Sequence, residues 1–234
     1  MKHKAIAIIP ARGGSKRVHR KNLVDLGGKP LLAHTVLCAK LSKYLVDNIY
    51  VSTEDISISK VALDFGAKVI QRPIVLASDK STTLSVLQHA VKTLEKNGLD
   101  FDTIVLLQPT TPFRKNSTIN DGINKLWDNW EDLDAVFTVK QSKFPPSWHL
   151  RINEDILEFV LPNDFSKIRA QDLDKVYEID GVVYVLKKDL VKKAKNYPFA
   201  KGRTGYIVTN KSESIDIDDE EDLKIARAIY KFTF

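Results

Sequence analysis

Two stretches far apart in the chain carry the side chains best suited to chemistry, and their charges are opposite. The first, IIPARGGSKRVHRKNL from Ile8 to Leu23, leaves an apolar run and enters two glycines, a serine and a series of cations. Gly13 and Gly14 permit a sharp turn that exposes consecutive backbone amides, a concavity suited to anions. Ser15 adds a hydroxyl, and Arg12, Lys16, Arg17, Arg20 and Lys21 supply positive charge, with guanidinium groups able to grip phosphate through two bonds at once. The spacing is neither a Walker A loop nor a G-x-G-x-x-G fingerprint. The stretch therefore reads as a phosphate site, against the plainer reading of a solvated surface turn; its place at a strand end favours phosphate.

The second stretch is SIDIDDEEDL, Ser214 to Leu223. In an extended segment Asp216 and Asp218 point the same way, roughly 6.5–7 Å apart. Two carboxylates so placed suit one hard cation that keeps water or phosphate as its other ligands, as Mg²⁺ prefers. The competing reading makes Asp218 or Asp219 a helix cap, with the following acids favouring the helix N-terminus. Capping accounts for Asp219 to Asp222 but not for the alternation of Asp216 and Asp218 with isoleucines.

Two further stretches are suggestive. LLQPTTPFR, Leu106 to Arg114, brings Gln108 out as the first polar residue after an apolar run, with Thr110, Thr111 and Arg114 behind it. RPIVLASDKSTT, Arg72 to Thr83, offers Arg72 and a hydroxyl-rich end that could meet a polar ring, although Ser81 or Thr82 could equally cap a helix.

These stretches need a frame that brings them together. KAIAIIP, NIYVST, AKVIQR, DTIVLLQ and DAVFTVKQ read as strands, alternating with helical patterns such as KPLLAHTVLCAKLS, DISISKVALDFG and STTLSVLQHAVKTLEKNG. Apolar strands alternating with helices imply an α/β fold whose mostly parallel sheet is covered on both faces, and such sheets bind ligands beyond the carboxyl ends of their strands. The rhythm breaks between about 141 and 180, where SKFPPSWHLRINEDILEFVLP predicts a proline-punctuated loop and a hairpin. GVVYVL restores a strand, and the C-terminal part predicts two short strands, the second carrying the acidic pair, then a closing helix. The expectation is one domain over 1–234 with an excursion.

Size and composition agree. A chain of 234 residues with 43% hydrophobic residues can bury a substantial core. No window suits a membrane span or a signal peptide, so a cytoplasmic location is expected. The lone Cys38 and five scattered histidines suggest neither disulfide nor zinc. A net charge of +6 is modest, and the lysines are mixed with acids rather than striped, which argues against nucleic acid.

Taken in order, IIPARGGSKRVHRKNL, RPIVLASDKSTT, LLQPTTPFR, VYEIDGVVYV and SIDIDDEED resemble the acylneuraminate cytidylyltransferases, including those acting on legionaminic and pseudaminic acids, from about Ala5 to Ala226. The resemblance implies a Rossmann-like nucleotidyltransferase sheet, a homodimer formed through the 141–180 excursion, and a reaction in which CTP and a 2-keto sugar acid give a CMP-sugar and pyrophosphate with Mg²⁺ or another divalent cation. It implies that Arg12, Gly13, Ser15, Lys21 and Asn22 hold the nucleotide and its phosphates, that Arg72, Ser81 and Thr83 face cytosine, and that Gln108, Arg169 and Tyr184 serve the sugar. Asp216 and Asp218 would hold the metal, with Arg12 and Lys21 sharing the catalytic work. Arg17, His19 and Asp180 depart from the family's usual residues, and Asp180 puts the sugar's identity in question. Two other readings stand beside this one: a metal-dependent glycosyltransferase using the Asp216–Asp218 pair, and a non-catalytic nucleotide-sugar binding protein.

Overall fold

A computed structural model describes residues 3–144, 146–161, 174–195 and 203–233. The chain opens with strand β1 (Ala5–Pro10), then a tight hairpin of β2 (Asp25–Leu26) and β3 (Lys29–Pro30) that leads into helix α1 (Leu31–Lys40). Strand and helix then alternate through β4 (Ile49–Thr53), α2 (Ile56–Asp64), β5 (Lys68–Gln71), α3 (Thr83–Lys96), β6 (Thr103–Leu106), α4 (Asn116–Asp128) and β7 (Ala135–Gln141). The excursion contains a separate hairpin, β8 (Leu150–Asn153) with β9 (Ile156–Phe159). Strand β10 (Tyr177–Lys187), α5 (Lys188–Lys193), β11 (Thr204–Val208) and α6 (Glu220–Thr233) complete the fold.

Seven strands form one sheet in the order β11-β7-β10-β6-β1-β4-β5. β1 is parallel to both β4 and β6, whereas β10 runs antiparallel between β6 and β7. Alternation along β1 sends Ile6 and Ile8 to one face, against Leu84, Leu87 and Val91 of α3, and Ala5, Ala7 and Ile9 to the other, against α1, α2 and α4. Both faces are therefore covered, the condition under which parallel strands are stable. The chain moves outward from β1 through β4 to β5 and then returns to β1's other side at β6. The carboxyl ends of β1 and β6 thus flank the topological switch point, where a crevice must open.

Helix starts follow local chemistry. The Asp55 carboxylate accepts from the amides of Ser57 and Ile58 at 2.7 and 3.0 Å to cap α2, and Thr82 Oγ1 accepts from Ser85 at 3.1 Å to cap α3. Asp219 caps α6 through the amides of Glu221 and Asp222, while Asp222 reaches back to the amides of Asp218 and Asp219.

One expectation needs correction. The segment bearing Asp216 and Asp218 is not a strand; it is an irregular extended turn before α6. Its alternation comes from Ile217, which is fully buried in a small cluster with Val18, Leu26, Leu31, Leu223 and Ala226. The expected strand GVVYVL is present within β10 and runs antiparallel to both its neighbours, a direction its apolar pattern does not encode, since a strand buried on both faces reads alike either way.

Candidate functional site

At the switch point lies a cavity of about 650 Å³ whose walls include Arg12, Ser15, Lys16, Arg17, Lys21 and Asn22 from the loop after β1, and Gln108 and Thr110 from the loop after β6. Arg72, Asp79 and Ser81 come from the segment between β5 and α3, Thr83 from the start of α3, and Asp216 and Asp218 from the turn before α6. All four stretches singled out by chemistry therefore meet in one space.

The loop after β1 is held rigid from behind. Ala11 donates its amide to the Ser52 carbonyl at 3.0 Å, and buried Asn22 donates Nδ2 to the Arg12 carbonyl at 2.9 Å. The Gly13 amide donates to Glu54 Oε1 at 2.7 Å. The amide expected to meet an anionic ligand thus already meets an anion of the protein. Gly13 is required for a different reason: a Cβ there would lie 2.6 Å from the Asp55 carboxylate. Gly13 is not among the wall residues; the cations are.

Those cations face acids. Arg12 Nη1 lies 2.8 Å and Lys16 Nζ 2.5 Å from the two oxygens of Asp79. Lys16 foremost, and Arg12 after it, hold the Asp79 carboxyl below the usual carboxylate range. Arg17 lies 3.2 Å from Asp218. Lys21 is largely covered and donates to the carbonyls of Ile217 and Asp218 at 2.7 and 2.9 Å, so its ammonium ties the basic loop to the acidic turn.

Asp216 opens to the cavity on one side and is crowded by protein on the other. That burial pushes its carboxyl up; Thr110 opposes through a hydrogen bond, the like charge of Asp218 adds to the rise, and Lys21 offsets it. The Thr110 carbonyl also accepts the Ile217 amide at 2.8 Å, which pins the acidic turn to the loop after β6. Arg114, buried within that loop, donates to the carbonyls of Val182 and Gln108 and to the hydroxyls of Thr35 and Thr111. Burial brings its guanidinium down to about 10, and its role is to hold the Gln108 turn.

At the opposite wall Arg72 is buried, with Nε donating to Ser52 Oγ at 3.2 Å. Ser81 donates Oγ to the Val75 carbonyl at 2.9 Å and shares a bond with Ser78. Tyr184 is not a wall residue: it is buried on β10 with its ring edge-on to Phe137. Arg169 lies outside the described residues. Asp180 is buried, its carboxylate accepting from the Thr209 hydroxyl and the Val182 amide, so it braces β10 where the register shifts instead of facing the cavity. Sequence reasoning missed Glu54, Asp55 and Asp79. The pair Glu54-Asp55 directly follows a strand, which is the one local signal it offered; nothing local marks Asp79 as a partner of Arg12.

A family model described as "Cytidylyltransferase" matches residues 6–220. The chain is 33% identical to an N-acylneuraminate cytidylyltransferase of Escherichia coli over 98% of its own length and 52% of that protein's, so it spans about half of that relative. It is 30% identical to a pseudaminic acid cytidylyltransferase of Campylobacter jejuni, covering 97% of each chain. It is 33% identical to a CMP-N,N'-diacetyllegionaminic acid synthase of Legionella pneumophila, covering 91% of this chain and 90% of that one. Among solved structures, a CMP:2-keto-3-deoxy-manno-octonic acid synthetase complexed with CTP superposes with a TM-score of 0.73 at 19% identity, covering 99% of this chain and 100% of that one.

Proposed function

The chain belongs to the cytidylyltransferase family, and we propose that it couples CTP to a sialic-acid-like nonulosonic acid, such as an N-acylneuraminate, legionaminate or pseudaminate, to give the CMP-sugar and pyrophosphate. The observation that carries this reading is the meeting, in one switch-point cavity, of a basic loop and an acidic pair contributed by opposite ends of the chain.

A sugar hydroxyl oxygen forms a bond to the α-phosphorus as the bond from that phosphorus to the bridging oxygen breaks. Pyrophosphate leaves with the electron pair, and the hydroxyl proton passes to solvent. Such a transfer depends on alignment and on neutralising charge. Arg12, Lys16 and Arg17 receive the phosphates from the β1 side, while Lys21 and Asn22 keep the loop in place. Arg72, Ser81 and Thr83 form the wall for cytosine, and Gln108, fixed by Arg114, faces the sugar acid.

Asp216 and Asp218 suit Mg²⁺. Both are hard oxygen donors on one cavity wall, and burial first, with the like charge of Asp218 adding to it, raises Asp216, a cost that a bound cation would offset. Bound there, the ion would neutralise phosphate charge and lower the barrier to attack. The enzyme is further proposed to act as one nucleotidyltransferase domain, in the cytoplasm, as a homodimer.

Pyrophosphate release is the test, with CTP and Mg²⁺ and a panel of sialic, legionaminic, pseudaminic and eight-carbon sugar acids. Release with a nonulosonic acid is expected and identifies the substrate. CTP binding with silence across the panel moves the assignment toward a non-catalytic binding protein, and turnover of a nucleotide sugar in its place toward a glycosyltransferase.

A further inference from the structure

Arg12 is the residue on which the phosphate loop turns, and its backbone is fixed at three points. The amide before it and its own carbonyl are bonded to Ser52 and Asn22, and the amide after it is bonded to Glu54. Of these partners only Glu54 carries charge. Its second oxygen, Oε2, is buried and has no hydrogen-bond partner among the described residues. A partly buried carboxylate left half-satisfied is destabilising in itself, so its presence calls for a compensating role.

The surroundings supply one. Burial lowers the Arg72 guanidinium, the charge of Glu54 opposes that and the charge of Arg12 adds to it. The neighbouring arginines make the half-satisfied carboxylate tolerable where it sits, and the oxygen that takes the Gly13 amide is what fixes the loop. Next to it, Asp55 fills the space that a side chain at position 13 would need and lies 3.7 Å from Arg20. The end of β4 thus forms a rigid seat into which the loop is pressed.

We propose that Glu54 is a positioning residue for the nucleotide's phosphates: by taking the Gly13 amide it fixes the backbone beside Arg12, so that polyphosphate is read by side chains already in place. The proposal rests on the CTP-dependent reading above. Its mark is an effect that grows with the number of phosphates, because the loop, not the cytosine wall, is what Glu54 holds.

The experiment measures dissociation constants for CTP, CMP and inorganic triphosphate by calorimetry. Glu54→Ala is expected to weaken CTP and triphosphate about tenfold and CMP no more than about twofold. Glu54→Gln, which keeps an acceptor oxygen for Gly13, is expected to recover most of the loss. Parent-like CTP affinity in Glu54→Ala, or equal losses for CTP and CMP, overturns the proposal. If Glu54→Ala does not fold, Glu54→Gln and Glu54→Asp decide. Weakening by Asp alone supports a role through acceptor reach, and weakening by Gln alone assigns the effect to charge and overturns it. A parent protein that binds triphosphate but not CTP defeats the proposed function while the triphosphate series still judges Glu54; a parent that binds neither defeats both.

Discussion

Asp79 engages the two cations that a triphosphate would need, and its contact is the kind a ligand can replace. The carboxylate is about half exposed and meets Arg12 and Lys16 at the cavity rim, where ion pairs contribute little because water and salt screen them. A triphosphate brings several charges to the same place. Asp79→Asn is therefore expected to lower the KM for CTP by about two- to fivefold and to leave kcat unchanged, as steady-state pyrophosphate release would reveal. A higher KM would mean that Asp79 holds Arg12 in position. Asp216 should behave differently. It sits on the wall where Lys21 and Thr110 join the acidic turn to two loops. Asp216→Asn is expected to reduce kcat about a hundredfold while calorimetric CTP affinity changes little, since charge stabilisation at the reacting phosphate is lost and ground-state contacts are kept. A variant that keeps its rate at saturating CTP and loses only affinity would remove Asp216 from the chemistry.

At the scale of elements, the β2–β3 hairpin is the joint between the phosphate loop and α6, and its two glycines are not equivalent. Gly27 and Gly28 both have positive φ, 61° and 82°, as a two-residue turn of this hand requires. A Cβ on Gly27 would also enter the Tyr230 ring of α6 at 1.9 Å, whereas one on Gly28 meets open space. Gly28→Ala is expected to cost about 1–2 kcal/mol for backbone conformation alone, and Gly27→Ala about 2–4 kcal/mol, with displacement of α6 added. Chemical denaturation of the two variants distinguishes these, and equal losses would mean that Tyr230 moves aside freely. The same joint carries a pH dependence. His34 on α1 donates Nε2 to the Leu26 carbonyl at 2.8 Å, and burial lowers its pKa from the ordinary 6.5 despite that bond. The unfolded chain therefore binds the proton first, so this stability is complete above pH 6.5 and is lost as pH falls through the lower folded value. Unfolding midpoints should drop between pH 7 and pH 5.5, and less steeply in His34→Gln. Some slope should remain, because His89 is also lowered by burial. An unchanged slope would place the dependence elsewhere.

For the molecule as a whole, legibility followed the range of the forces involved. The parallel core strands were readable because burial on both faces leaves an unbroken apolar run, and the basic loop and the Gln108 turn because each directly follows such a run. The direction of β10 was not, since it depends on what comes before it and not on its own pattern. Nor was the use of the Gly13 amide by Glu54, a contact between residues 41 positions apart. The excursion's hairpin was predicted, and its surroundings pose the last question. β8 and β9 pair only with each other among the described residues, although a two-stranded ribbon is marginal in water without a face to pack on. Ile152, Ile156 and Leu157 are 77%, 65% and 65% exposed, with Phe159, Val160 and Leu161 following in the same ribbon and its exit. Contact sites carry apolar surface of this kind, and the proposed homodimer would seat a second copy of the chain on it. Sedimentation equilibrium is expected to return about twice the 26.5 kDa chain mass, and Ile152→Asp with Leu157→Asp to return the single-chain mass without loss of the main unfolding transition. Because the hairpin pairs with none of the seven sheet strands, the double substitution should leave the fold intact. A parent protein that sediments as one chain at micromolar concentration would show that the exposed ribbon is not held by self-association.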